Sequence, residues 1–282
     1  MKYLGFWLLV VSMLSPVHAF ELVYEAVSDV IYAHPHDVLV SPDGKLLYVA
    51  DNGNDRIAVL DAHSLELLGS FGEGEVAEPH DVALDLEGRL LVADTGGSRI
   101  AIYELSGISG KLVGELKERL SRPEGVTAHP DGRVYATGAA SGNLVAYHQG
   151  KVVAELGGFA APHDVVVAPD RTLWVADAAN DRIVNLDRDL KILKTLKGAP
   201  YNFSGPRYFD FDAQGRLYVA DKYSHQVKVL APDLSLQLVL GGKHNTFGPG
   251  YFNHPEGISI RGTTAWFADT YNDRIVRYRI VE

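Results

Sequence analysis

One pattern recurs six times along this chain, and it constrains the fold more than any other feature. Each copy opens on a proline, a variable residue and then Asp, Gly or Tyr. An apolar alternation, a turn and an apolar run follow; in most copies the run ends in Ala-Asp, and in four a short turn then leads to Arg-Ile. The openings are Pro35-His36-Asp37, Pro79-His80-Asp81, Pro123-Glu124-Gly125, Pro162-His163-Asp164, Pro206-Arg207-Tyr208 and Pro255-Glu256-Gly257, 39 to 49 residues apart. A unit of that length holds one small antiparallel sheet. Its faces need neighbours to cover them, so the copies are expected to stack around an axis.

Each copy reads as four strands. In the first, residues 38–40 alternate and stop at Pro42-Asp43-Gly44, and residues 46–50, 57–60 and 67–71 make the other three. Asn52-Gly53-Asn54 reads as a hairpin turn, with Gly and Asn supplying positive φ. Val, Ile, Leu and Tyr fill the strands, and no segment carries a sustained helical period. The last copy stops after its third strand, near Ile280, while Glu21–Val27 is a spare strand ahead of the first copy. The expected fold is all-β: a six-bladed β-propeller whose N-terminal strand completes the last blade and closes the ring.

Residues 1–19 read as a cleavable export signal. Lys2 opens it, an apolar run covers 4–14, Ser15-Pro16 breaks the run and the small Ala19 precedes the cut. The run is well short of the roughly 20 residues of a spanning helix. The expected plan is a signal over 1–19 and a propeller over 20–282, secreted or periplasmic, with no membrane span after cleavage. The absence of cysteine excludes thiolate catalysis and Cys-ligated zinc, and it favours a periplasm over a disulfide-rich extracellular space. A net charge of −10, from 26 basic and 36 acidic side chains, argues against nucleic acid as a partner. A monomer is expected.

The blocks VADNGNDRI (49–57), VADTGGSRI (92–100), VADAANDRI (175–183), VADKYSHQV (219–227) and FADTYNDRI (267–275) resemble the NHL-repeat family, over nearly all of the chain after the signal. The third copy departs, with Gly138 for the Asp and Asn143 for the Arg, and a looser or specialised blade is expected there. Asp51, Asp94, Asp177, Asp221 and Asp269 recur, as do Arg56, Arg99, Arg182 and Arg274. An active site is one asymmetric place, so these repeated residues are read as scaffold: turn-stabilising hydrogen bonds or Asp–Arg contacts.

Variation at a constant position is more informative. The residue after the opening proline begins the innermost strand, and six such starts ring the mouth of the central channel. The ring reads His36, His80, Glu124, His163, Arg207, Glu256. Imidazoles and carboxylates converging on one axis suit a divalent metal. The competing reading is solvated or paired side chains, Arg207 with Glu124 or Glu256.

The chain also resembles, more distantly, the peptidyl-hydroxyglycine alpha-amidating lyases. That resemblance implies zinc held by the Pro-His openings of alternate blades, here His80 and His163 with Glu256 in place of a third His and His36 nearby. It implies a catalytic tyrosine two residues after an Ala-Asp; Tyr223 matches, and Tyr271 matches one blade later. It also implies an arginine just after an Ala-Asp, where Lys222 is the one cation. Tyr223, Lys222 and Arg207 are therefore the candidate catalytic side chains. Zinc is the first expected metal. Calcium is the second, deeper in the channel through carbonyls and Asp37, Asp81 or Asp164. His34 and His254 read as solvated loop histidines or, alternatively, as an outer wall of the pocket, and the insertion over 243–252 as a partial cover. The expected ligand is a small molecule or peptide at the mouth, with a periplasmic protein as a further partner. The function is then a carbon–nitrogen lyase or, alternatively, a non-catalytic scaffold for protein, peptide or glycan. Lactonase propellers fit by fold, with blades less regular than these.

Overall fold

The computed structural model describes residues 20–242 and 248–282; the expected signal and part of the insertion lie outside them. The described residues form six antiparallel sheets of four strands. In the first blade the strands are Pro35–Val40, Leu46–Asp51, Arg56–Asp61 and Leu67–Phe71, numbered outward from the axis. Blades two to five repeat this over 79–116, 123–157, 162–197 and 206–241. The sixth holds Ile258–Arg261, Thr264–Asp269 and Arg274–Val281, with Glu21–Val27 as its outer strand. Glu21 pairs with Val281 and Val27 with Val276, across a bulge between Tyr24 and Ala26. The protein is thus a six-bladed β-propeller closed by the strand at residues 21–27.

Second and third strands are sandwiched between blades, so both of their faces are buried. Leu47, Val49, Ile57 and Val59 are fully enclosed. One apolar core fills each gap between neighbouring blades. Tyr48, Ile57 and Val59 meet Val82, Leu90 and Val92 between blades one and two. Trp266 and Ile275 meet Val38 and Leu47 where the ring closes. Leu22 and Tyr24 of the closing strand pack beside Phe252, Phe267 and Tyr278, so that strand adds a hydrophobic seal to its hydrogen bonds.

The recurring Asp–Arg pair is scaffold. Asp51 accepts hydrogen bonds from the Ala33 backbone at 2.9 Å, Asn54 Nδ2 at 2.9 Å and Arg56 Nε at 2.7 Å. Asp94, Asp177 and Asp269 hold Arg99, Arg182 and Arg274 in the same way. In blade five, where Gln226 replaces the Arg, Lys228 reaches Asp221 from two residues further on. In blade three, Asn143 Nδ2 donates to Arg119 O and Glu155 Oε1, both at 2.8 Å. That blade keeps all four strands, and an amide does the work of the ion pair.

The expected turn is corrected in detail. Asn52–Asn54 forms a 3-10 turn, and the left-handed residue is Asp55, φ 51°, not the Gly or Asn. Asp181, His225 and Asp273 take that role in their blades. Gly53 is required for space instead, because a Cβ there would lie 2.9 Å from Ala33 Cβ.

Candidate functional site at the channel mouth

The inner strands of blades one to five carry His36, His80, Glu124, His163 and Arg207, and Glu256 lies just ahead of the inner strand of blade six. A register shift follows the opening proline in blades one to five. Such bulges re-aim side chains. Here they accompany one residue placed at the mouth and the next placed in the neck below it. The neck residues are Asp37, Asp81, Gly125, Asp164, Tyr208 and Gly257. The three aspartates clasp neighbouring blades: Asp37 accepts from Val82 N, Asp81 from Val126 N and Asp164 from Phe209 N. Burial pushes all three carboxyls up, Asp81 to about 6, and Asp37 and Asp81 hydrogen-bond each other.

Gly125 and Gly257 are glycines because the next blade crowds them. A Cβ at Gly125 would lie 2.6 Å from His163 O, and one at Gly257 would lie 2.6 Å from Asp37 Cα. Tyr208 crosses the neck. Its hydroxyl lies 2.9 Å from His80 O and 3.1 Å from Glu124 O, and its ring meets His163 edge-on at 4.8 Å. Tyr208 therefore floors the mouth. Beyond it the channel opens into a cavity of about 270 Å³ lined by Asp37, Asp81, Asp164, Tyr208 and Asp210. Sequence reasoning missed this tyrosine. Its signal was a bulky ring at a position that is Asp or Gly in the other five copies.

The ring residues do converge above Tyr208. His163 Nε2 lies 3.4 Å from Glu124 Oε2 and 3.4 Å from Glu256 Oε2. His80 Nε2 lies 3.9 Å from Glu124 Oε1, and His36 Nε2 lies 3.7 Å from Glu256 Oε2. His36 and His80 rings sit 4.2 Å apart. Two of the imidazoles are oriented by the same device: His36 Nδ1 is 2.9 Å from His34 O, and His80 Nδ1 is 2.9 Å from Glu78 O. A proton on each Nδ1 satisfies that carbonyl and leaves the Nε2 lone pair facing the axis, as in metal-ligating histidines.

Among the described residues, His80, Glu124 and His163 form the tightest donor group, with one ligand atom from each within 4.8 Å of the others. Ligand atoms of a tetrahedral zinc stand about 3.4 Å apart for bonds of 2.0–2.1 Å. The triad therefore fits a divalent ion after side-chain movements of about an ångström or less. Glu256, the carboxylate of the sequence-derived set, is placed differently. Lys222 Nζ lies 2.6 Å from its Oε1. Burial opposes its charge, but His36, Lys222 and Arg207 outweigh burial and hold the carboxyl at about 2. Glu124 goes the other way: burial pushes it up to about 7 against the pull of Arg207. Burial also pushes His80 down to about 3 and lowers His36 and His163, so at neutral pH all three imidazoles are uncharged and able to donate a lone pair.

Arg207 makes neither of the ion pairs that the competing reading offered it, with Glu124 or Glu256, among the described residues. Its hydrogen-bond partner is Tyr223, with Nη2 3.2 Å from the phenol oxygen, and Nε is buried without a partner among the described residues. Tyr223 and Tyr271 are exposed at the rim. His254 lies between them, its ring 5.9 Å from Tyr223 and 4.6 Å from Tyr271, and His34 follows 4.9 Å beyond Tyr271. His34 and His254 thus join the rim as one aromatic row. The insertion's residues 243–247 lie outside the described residues; beyond them Phe252 is anchored in the core between blades five and six.

Fold and site define a class: a six-bladed propeller with a recessed ring of metal-capable and charged side chains over a tyrosine floor. The family model that matches is described as "Lactonase, 7-bladed beta-propeller" and covers residues 24–130, less than half of a chain that has six blades. No curated protein matched the sequence. Among solved structures, virginiamycin B lyase from Staphylococcus aureus is similar at 16% identity and TM-score 0.65, covering 93% of this chain and 100% of that one. Hydrazine synthase from Kuenenia stuttgartiensis is similar at 14% identity and TM-score 0.64, covering 88% and 96%. An auxiliary nutrient binding protein from Bacteroides ovatus is similar at 17% identity and TM-score 0.70, covering 89% and 70%. At these identities the likeness establishes the propeller fold.

Proposed function

We propose that the protein is an exported propeller that holds a divalent metal, zinc first, at its channel mouth through His80, Glu124 and His163, and acts there as a lyase. The observation that carries this reading is the convergence of two oriented or enclosed imidazoles and one carboxylate, His163 Nε2 lying 3.4 Å and His80 Nε2 3.9 Å from Glu124 and all three ligand atoms within 4.8 Å of one another. When bound, the metal supplies a Lewis acid that acidifies a substrate hydroxyl. The chain's own residues divide the remaining work. Tyr208 closes the floor and limits water from below. His36, with its lone pair directed at the axis, is placed to take a proton from the substrate. Tyr223, whose oxygen accepts from Arg207, keeps its phenol hydrogen free for a leaving group. Lys222 and Glu256 form a fixed pair beside them. The net step is breakage of a carbinolamide C–N bond: the hydroxyl proton leaves oxygen, a C=O forms, and the released nitrogen takes a proton. Similarity to a propeller titled virginiamycin B lyase supports bond cleavage on this fold.

A second reading is a non-catalytic binding protein. The exposed aromatic row and Arg207, whose Nε is buried without an acceptor among the described residues, favour it, since both suit a ligand without requiring chemistry. The two readings separate in one assay. Zinc-loaded protein is expected to release glyoxylate from N-acetyl-α-hydroxyglycine, and chelator-treated protein or the His80→Ala/His163→Ala variant is expected to lose that rate by at least about 100-fold. Equal rates with and without metal would reject the lyase.

A further inference from the structure

We infer that the half of the mouth built by blades five, six and one is a subsite for a monoanionic carboxylate attached to an aromatic ring. The inference deepens the reading of the mouth as the working site, and it does not require the metal.

The argument begins with a break in the repeat. Two residues after the conserved Asp position the copies carry Gly53, Gly96, Ala140 and Ala179 in blades one to four, then Tyr223 and Tyr271 in blades five and six. Scaffold explains the small residues: a Cβ at Gly53 or Gly96 would press within 2.9 Å of a neighbouring alanine. It does not explain the tyrosines, which stand 55% and 47% exposed. Tyr223 is accommodated by Gly205, where any Cβ would lie 2.5 Å from its ring. The chain thus makes space for a ring that buries little of itself. With His254 and His34 the two tyrosines form a continuous row of four rings. Exposed apolar surface gathered at a concave mouth marks a binding site, and flat rings stack best on flat rings.

Charge identifies the other half of the ligand. Two cations face this region. Lys222 is already paired with Glu256 and lies 5.8 Å and 5.3 Å from the centres of the Tyr223 and Tyr271 rings. Arg207 has no carboxylate within 4 Å among the described residues, and its Nε is buried without an acceptor. A buried donor left unpaired is unfavourable, and a carboxylate is the planar acceptor that a guanidinium fork matches. One guanidinium that has no carboxylate partner among the described residues, held at Nη2 by Tyr223 and beside Glu124 and Glu256, suits a single negative charge and disfavours a dianion such as phosphate. Because Arg207 Cζ lies 5.7 Å from the centre of the Tyr223 ring, anion and ring sites adjoin.

The test is isothermal titration of the full chain with 3-phenylpropanoate, 3-phenylpropanamide and 3-cyclohexylpropanoate, in chelator and again with zinc. Saturable binding of the aromatic acid at millimolar Kd or tighter is expected. The amide should bind about tenfold more weakly, and so should the acid to Arg207→Gln. The cyclohexyl acid should bind about threefold more weakly, a preference that Tyr271→Leu removes. Binding in chelator, and by the His80→Ala/His163→Ala variant, separates this subsite from the metal. If the wild type binds amide and acid alike, or does not saturate with the aromatic acid, the subsite is refuted, whatever the variants do.

Discussion

Asp210 shows how a single residue records its surroundings. It lies on the inner strand of blade five, open in part to the channel cavity, and accepts hydrogen bonds from Phe211 N and Ile260 N, both at 2.7 Å. Enclosure by protein pushes its carboxyl up to about 7. An unfolded Asp titrates near 3.9, so between roughly pH 4 and 7 the folded chain holds a proton that the unfolded chain has lost. That contribution to stability is complete below about pH 4 and is lost as pH rises through about 7. Asp164 and Asp212 face the same region and remain in both proteins of the comparison. Asp210→Asn should be less stable than the parent at pH 5 by roughly 1–3 kcal/mol, through a lost acceptor, with the deficit shrinking or reversing by pH 8. A deficit that stays constant in denaturant titrations across that range would contradict the account. At this scale the ring was legible, because six copies of one position can be read side by side. The choice of Glu124 over Glu256 in the tightest donor group was not. Both occupy the same repeat position, and the side chain that separates them, Lys222, comes from a turn of blade five that sequence alone does not place against Glu256.

At the scale of elements, the closing strand was legible from counting: one strand short at one end, one spare at the other. Its packing was not, because Leu22 and Tyr24 meet Phe252 of the insertion only in three dimensions. Deleting residues 20–27 should expose the edge of Arg274–Val281 and uncover part of the core between blades five and six. A loss of roughly 4 kcal/mol, and so a melting temperature lower by about 10 °C, is expected for a domain of this size, with aggregation through the open edge. An unchanged melting temperature in a monomeric deletion mutant would overturn that role. The turns were legible as turns but not in their conformation. Asp55 and its equivalents carry the left-handed φ, and Gly53 answers instead to Ala33 across the loop.

On the scale of the whole molecule, the six-fold frame makes the mouth uneven in a useful way. Blades two, three and four supply His80, Glu124 and His163; blades five, six and one supply Arg207, Lys222 and the aromatic row. Tyr208 spans from the second half to the first and sets the depth available to anything entering. A repeat protein is regular where neighbours must pack and irregular where something else must be met, and both sides of this mouth are built from its irregular positions. The most direct test of the central claim is the metal content of the protein itself. After expression in zinc-replete medium and gel filtration, elemental analysis should find about one divalent ion per chain, held through His80, Glu124 and His163. The His80→Ala/His163→Ala variant should contain none while melting as a folded propeller. Wild-type protein that carries no metal, and gains no thermal stability from added zinc, would contradict the account.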